Sequence, residues 1–216
     1  MFSDFTYEGV NYRFYGSQGE HIFRFLGHPN FYEFDLLKYI TSLNIEGIYI
    51  DVGANIGNHS VYFANHCPSM KVISFEPEKE CFYYLQLNMK TNSLKEFDLH
   101  NLGVWDGNRR GYLKRFPSHK NMGQSRLVDM SDYEVELVSL DSFIDEEVGL
   151  IKIDIEGGEE RVIKGARNTI TRDKPTIICE ASESGEKAVL DELLGTLGYA
   201  PARLRFNATP TYVWER

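Results

Sequence analysis

From Gly47 onward, short apolar runs rich in β-branched residues alternate with stretches of helical spacing: GIYID, then SVYFANHC; KVISFE, then KECFYYLQLNMKTN; FDLHNLGV; LIKIDIE, then EERVIKGARNTI; PTIICE, then EKAVLDELLGTLG. This alternation is satisfied by a parallel sheet covered on both faces by helices, so a doubly wound α/β architecture is expected. Two places break the rhythm. Trp105 to Leu140 contains GYLKRF and YEVELVSL, which read as an antiparallel hairpin around the polar loop FPSHKNMGQSR, a loop long enough to suggest a function. At the C-terminus, YAPARLRF and PTYVWER read as a final antiparallel pair, which makes the sheet mixed at its edge.

Ahead of the sheet, TYEGVNYRFYG alternates apolar and polar residues around Gly9, as a short hairpin does. Next, FYEFDLLKYITSL sets Phe31, Phe34, Leu37 and Ile40 at helical spacing, with Pro29 and Asn30 as its start. The 216 residues are therefore read as one domain, 1–216, with a hairpin and helix extension over 1–45 and a core over 46–216.

Composition narrows the function classes. Cys67, Cys81 and Cys179 sit in no CxxC pair, which suggests neither a disulfide framework nor a zinc site and points to a reducing compartment. The N-terminus lacks a basic start followed by an apolar core, and no run approaches the roughly 18 apolar residues that span a bilayer. A cytoplasmic chain without a membrane partner is the expectation. The net charge of −9, with dispersed Lys and Arg, makes nucleic acid an unfavoured partner.

In an open α/β sheet, ligands bind outside the carboxyl ends of the strands where strand order reverses, and the turn Asp51 to Gly57 lies there. Gly53 and Gly57 let its backbone bend and approach a ligand, and the following helix offers N–H groups. The loop fails the dinucleotide pattern GxGxxG because Asn55 stands at the middle glycine, and it lacks the Gly-Lys-Ser/Thr of a P-loop. FEP ends the next strand with Glu76, whose carboxylate can accept hydrogen bonds from both hydroxyls of a ribose. A glycine loop with an acid one strand later fits a nucleoside ligand. A nicotinamide-dependent oxidoreductase shares these features except for the missing glycine, and a non-catalytic nucleoside-binding module shares them too.

LIKIDIEGGEE carries Lys152, Asp154 and Glu156 at alternate positions, hence on one side of the fourth strand, with three isoleucines on the other. Charges in a buried strand are costly unless they pair or reach its mouth, so Asp154 and Glu156 are expected at the mouth, with Glu180 emerging beside them. Capping of a helix beginning near Gly158, or pairing with Lys152, is the structural alternative. His59 reads as an ordinary first-turn residue, and Tyr83, Tyr84, Leu85 and Leu87 read as helix-to-sheet packing. In the polar loop, His119, Lys120, Asn121 and Ser125 could meet an acceptor or belong to a solvated loop.

DVGANIG, FEP followed by LQLNMKTN, the pair SLDSFI, and IKIDIEGGEERVIKGA, preceded by Tyr32 and Glu33, together resemble the FkbM family of S-adenosylmethionine-dependent methyltransferases over Phe31 to Glu180. The resemblance implies a seven-stranded mixed sheet of the Rossmann-like methyltransferase type, with S-adenosylmethionine as cofactor. It implies that Asp51, Gly53, Asn55 and Gly57 surround the methionine part, with Glu33 and Asp154 also at the cofactor. Glu76 would take the ribose, and Leu102, Gly103 and Val104 would flank adenine. The implied reaction is O-methylation of a sugar, glycan or small-molecule hydroxyl. Removal of the hydroxyl proton then gives Asp154, Glu156 and Glu180 base or orienting roles, with a magnesium ion held by such acids as the alternative.

Overall fold

The structure, a computed structural model, describes residues 1–17, 21–26, 30–114, 125–128, 133–182 and 185–215. Pro29 and the loop residues His119, Lys120 and Asn121 lie outside the described residues. The N-terminal hairpin joins β1 (Phe2–Tyr7) to β2 (Val10–Tyr15) through Glu8 and Gly9, both at positive φ, 49° and 78°. A two-residue turn with two positive φ values matches the right-handed twist of the flanking strands. α1 (His21–Phe25) and α2 (Phe34–Ser42) follow. The expected helical register from Phe31 is corrected: Glu33 caps α2 in a left-handed conformation, φ 57°, so Phe31 precedes the helix. Its ring packs edge-on against Phe5, Tyr12 and Tyr62 and joins the hairpin to the core.

The core runs through β3 (Gly47–Val52), α3 (Asn58–His66), β4 (Ser69–Phe75), α4 (Lys79–Asn92) and β5 (Glu96–His100). A second sheet contains β6 (Gly103–Val104), β7 (Arg109–Lys114), β8 (Arg126–Val128) and β9 (Glu134–Val138). The chain then continues as β10 (Val148–Ile153), α5 (Glu159–Gly165), α6 (Arg167–Asp173), β11 (Thr176–Glu180), α7 (Glu186–Gly195), β12 (Arg205–Phe206) and β13 (Thr211–Trp214).

The main sheet has seven strands in the order β12-β13-β11-β10-β3-β4-β5, all running one way except β13, which is antiparallel to both its neighbours, β11 and β12. Strand order reverses between β3 and β10, where a ligand crevice is expected. Ile50, Val52, Ile73, Ile151 and Ile153 bury toward α5, α6 and α7, while Tyr49, Val72, Leu150 and Ile178 bury toward α2, α3 and α4. Period-two alternation of apolar residues to both faces makes the sheet doubly wound.

Three local expectations are revised. FDLHNLGV splits into β5 and β6, which belong to different sheets, and the expected hairpin of β7 and β9 gains β8 and β6 in the order β6-β9-β7-β8. EERVIKGARNTI forms two helices, because Ala166 leaves helical geometry at φ −113° and Asp141 of SLDSFI caps the second by accepting from the Asn168 and Thr169 N–H groups. On α4, Leu85 is buried but Tyr83 is 56% exposed, so only the former packs on the sheet. No helix among the described residues is long and apolar enough to cross a membrane, and all three cysteines are free and buried.

Candidate active site

A cavity of about 300 Å³ opens over the carboxyl ends of β3, β4, β10 and β11. The turn after β3 places Gly53, Asn55 and Gly57 at φ 76°, 51° and 89°. At Gly53 an added Cβ would lie 1.8 Å from the Asp154 carbonyl oxygen, so the missing side chain lets the two strand-end loops touch. Gly57 faces away from the cavity, and its Cβ would lie 2.7 Å from Leu85 Cδ1.

Four N–H groups of this turn are already used. Gly53 and Ala54 donate to the Phe75 carbonyl at 3.0 and 3.1 Å, Asn55 donates to Glu76 Oε2 at 2.9 Å, and Gly57 donates to the Ala54 carbonyl at 2.8 Å. The turn is thus folded onto the end of β4, and these four N–H groups do not face a ligand. Glu76 also accepts the Glu78 N–H on Oε1 at 2.8 Å. Burial pushes its carboxyl up to about 7, against the opposing pull of these two hydrogen bonds. Each oxygen keeps a second lone pair, and the residue lines the cavity.

Beneath the cavity, cross-strand register sets Lys152 opposite Asp51. Lys152 Nζ donates to the Gly53 carbonyl at 3.2 Å and stands 3.3 Å from Asp51 Oδ1 and 3.5 Å from Asp154 Oδ2. Burial by itself would lower its pKa, but the two carboxylates reverse this and hold the ammonium charged. Asp51 is fully buried and receives the Ser60 hydroxyl at 2.6 Å, so it meets the cavity only through Lys152.

Asp154 and Glu180 hydrogen-bond across the ends of β10 and β11. Burial, then the Asp154 charge, pushes Glu180 up to about 9. Burial acts on Asp154 in the same sense, but the Lys152 charge and the Glu180 hydrogen bond bring it below the ordinary range. The two shifts run in opposite directions, Glu180 toward the protonated form and Asp154 toward the ionised one. The expected alternation through Glu156 does not hold: β10 ends at Ile153 and Glu156 lies exposed in a turn at φ 60°. There it still lines the cavity, while Glu159 caps the turn by accepting from the Gly157 N–H at 3.0 Å.

Of the sequence-derived site residues, Glu33, Gly53, Asn55, Glu76, Leu102, Gly103, Val104, Asp154, Glu156 and Glu180 line this one cavity, whereas Asp51 and Gly57 do not. His59, read from sequence as a plain helix residue, is buried in the wall with Nε2 3.1 Å from Glu33 Oε2. Asn58 clamps the adjoining corner, accepting the Tyr32 N–H and donating to its carbonyl, both at 3.0 Å. The position of His59 one residue after the N-terminus of α3 was the available signal.

Residues 51–202 match the Methyltransferase FkbM domain. The chain belongs to the FkbM methyltransferase family. Methyltransferase 1 of Beauveria bassiana (strain ARSEF 2860) is 24% identical over 187 residues, 74% of this chain and 75% of that protein. Methyltransferase sdnD of Sordaria araneosa is 24% identical over 208 residues, 79% of this chain and 80% of that protein. Among solved structures, methyltransferase FkbM from Methylobacillus flagellatus KT superposes with a TM-score of 0.56 at 21% identity, over 77% of this chain and 42% of that one. The tRNA (uracil-54, C5)-methyltransferase of Pyrococcus abyssi, in complex with S-adenosyl-L-homocysteine, gives 0.52 at 13% identity, over 99% of this chain and 43% of that one. The chain thus spans less than half of either solved chain, and these two likenesses concern the fold.

Within this FkbM methyltransferase the glycine turn, Glu76, Leu102 to Val104 and the acid pair fall inside the matched span, while His21, Tyr32, Glu33 and Thr209 line the cavity from outside it. The acid pair also has a consequence for stability. Glu180 keeps its proton in the folded chain after the unfolded chain has lost it, so unfolding free energy falls as pH rises between the ordinary carboxyl value of 4.5 and about 9. Glu76 acts in the same sense up to about 7. His66 and His100, held low by burial, act oppositely, but only near and below their ordinary value of 6.5. Urea titrations are expected to show stability falling from about pH 7 to about pH 9 in the wild type and a flatter profile in Glu180→Gln. Identical slopes would contradict the upward shift of Glu180.

Proposed function

We propose that this FkbM-family protein is an S-adenosylmethionine-dependent O-methyltransferase acting on a hydroxyl of a sugar, glycan or small metabolite. The observation that carries this reading is the Asp154 carboxylate at the switch-point cavity, 3.5 Å from the buried Lys152 and lining the same cavity as Glu180. The cofactor fits the donor set. A dinucleotide would bring a pyrophosphate in need of N–H donors, but the turn has spent those of Gly53, Ala54, Asn55 and Gly57 internally. S-adenosylmethionine carries no phosphate and has a cationic sulfonium, which suits a cavity lined by Glu33, Glu76, Asp154, Glu156 and Glu180.

In this reading Glu76 accepts the ribose hydroxyls, Leu102 to Val104 flank adenine, and Glu33 meets the ammonium of the amino-acid end beside the Gly53 to Asn55 turn. When bound, the cofactor supplies a sulfonium methyl open to in-line attack by a hydroxyl oxygen. Asp154 takes the hydroxyl proton, and Lys152 and Glu180 keep Asp154 ionised and oriented. Among the described residues no group of three or more His, Cys, Asp or Glu is arranged to hold a metal.

Calorimetry is expected to give binding of S-adenosylmethionine and S-adenosylhomocysteine and none of NADH. Glu76→Ala should weaken both by about ten- to a hundred-fold, the worth of charge-assisted hydrogen bonds to the ribose. Stability is followed in parallel, since the variant also strips two backbone N–H groups of their acceptor. A folded wild type that binds neither ligand would end this reading.

A further inference from the structure

Resting on that reading of the cavity, we propose that the methyl acceptor is an uncharged, hydroxylated ring that lays its flat face on an aromatic mouth formed by His21, Phe25 and Tyr32, and that phosphorylated acceptors are rejected. The three rings form a closed set, with centroids 4.8 Å apart for His21 and Phe25, 5.6 Å for Phe25 and Tyr32, and 5.8 Å for His21 and Tyr32. His21 and Tyr32 line the cavity, and Phe25 is 49% exposed beside them.

α1 divides its side chains between two tasks. Phe23, and Leu26 just after the helix, bury in the core, while the rings of His21 and Phe25, one helical turn apart, meet at 54° on the mouth side. The platform is also held in place. The Leu26 carbonyl accepts the Ser3 hydroxyl at 3.0 Å, and Asn58 clamps both backbone groups of Tyr32. A half-exposed phenylalanine on a braced support offers a preformed flat surface, which stacks on a sugar face or a phenolic ring at little entropic cost.

Charge decides which rings are accepted. Among the described lining residues there are five carboxyl groups, no arginine, and one lysine, Lys152, already engaged by Asp51 and Asp154. Even with Glu180 protonated the field is negative, and the N–H groups of Gly53, Ala54, Asn55 and Gly57 are bonded within the protein. A phosphate or carboxylate on the acceptor would enter against like charge, with no arginine and no unengaged lysine among the described lining residues to meet it.

Saturation-transfer NMR tests this with four probes: methyl β-glucoside and phenol as the neutral rings, glucose 6-phosphate and phenyl phosphate as their charged counterparts. Titrations are run on the full chain with and without S-adenosylhomocysteine. At least one neutral probe is expected to bind about tenfold or more tightly than its phosphate, and which one binds separates a sugar from a phenolic source. Phe25→Ala should weaken that probe by about three- to tenfold and Phe25→Tyr should retain it, with S-adenosylhomocysteine affinity unchanged in both. Equal or tighter binding of the phosphates, no transfer to either neutral probe, or indifference to Phe25→Ala overturns the proposal. Failure to bind S-adenosylhomocysteine would instead strike the methyltransferase reading.

Discussion

Lys152→Met is expected to lower the unfolding free energy by about 3–5 kcal/mol, the cost of leaving one member of a buried ion pair without its partner. Lys152 is 4% exposed, at the floor of the cavity, and Asp51 is fully buried, so water screens the pair little. Methionine fills much the same volume but removes the charge facing Asp51 at 3.3 Å and the donor to the Gly53 carbonyl at 3.2 Å. Asp51 would keep only the Ser60 hydroxyl at 2.6 Å. The loss should come from the stranded carboxylate rather than from the missing contact, which makes the double variant Lys152→Met with Asp51→Asn more stable than Lys152→Met alone. Urea titration of the two variants beside the wild type checks this. A single variant within about 1 kcal/mol of wild type would mean that the pair is not what holds β3 and β10 in register.

That pair also marks how far the sequence could be read. The alternation of apolar residues in β3, β4, β10 and β11 was legible because period two is a property of each strand alone. So were the strand-end positions of Glu76, Asp154 and Glu180, where a charge interrupts or closes an apolar run. What depends on contacts between distant segments was not legible. The upward shift of Glu180 arises from its burial and from meeting Asp154 across two strands, and no spacing rule reports either. His59 joined the cavity because Asn58 grips Tyr32 and brings Glu33 within 3.1 Å. The turn around Asn55 was legible as a bend, but not that Phe75 and Glu76 accept its Gly53, Ala54 and Asn55 N–H groups. One local signal was underweighted. Gly157 and Gly158, both at φ 109°, end the β10 register before Glu156, and two adjacent glycines after an apolar run are a turn signal in their own right.

Asp154→Asn is expected to reduce methyl transfer by about two to four orders of magnitude, whereas Glu180→Gln should cost about tenfold or less. The asymmetry follows from the opposite shifts of the two acids. Asparagine keeps the shape of Asp154 but cannot take the hydroxyl proton, and a carboxylate held low by Lys152 has no substitute at that position. Glutamine at 180 still offers a hydrogen-bond donor toward Asp154, much as the protonated acid does, so orientation survives. The pH profile gives a second readout. In the wild type, activity should decline toward alkaline pH as Glu180 ionises near 9 and a second negative charge enters beside Asp154. Glu180→Gln should lack that limb. A chelator should leave turnover intact if the carboxylate acts alone; loss on chelation with recovery on adding magnesium or manganese would transfer the role to a metal held by these acids. Near-wild-type turnover in both variants would make the acid pair architectural, and equal large losses would mean that the charge used in the reaction is not confined to Asp154.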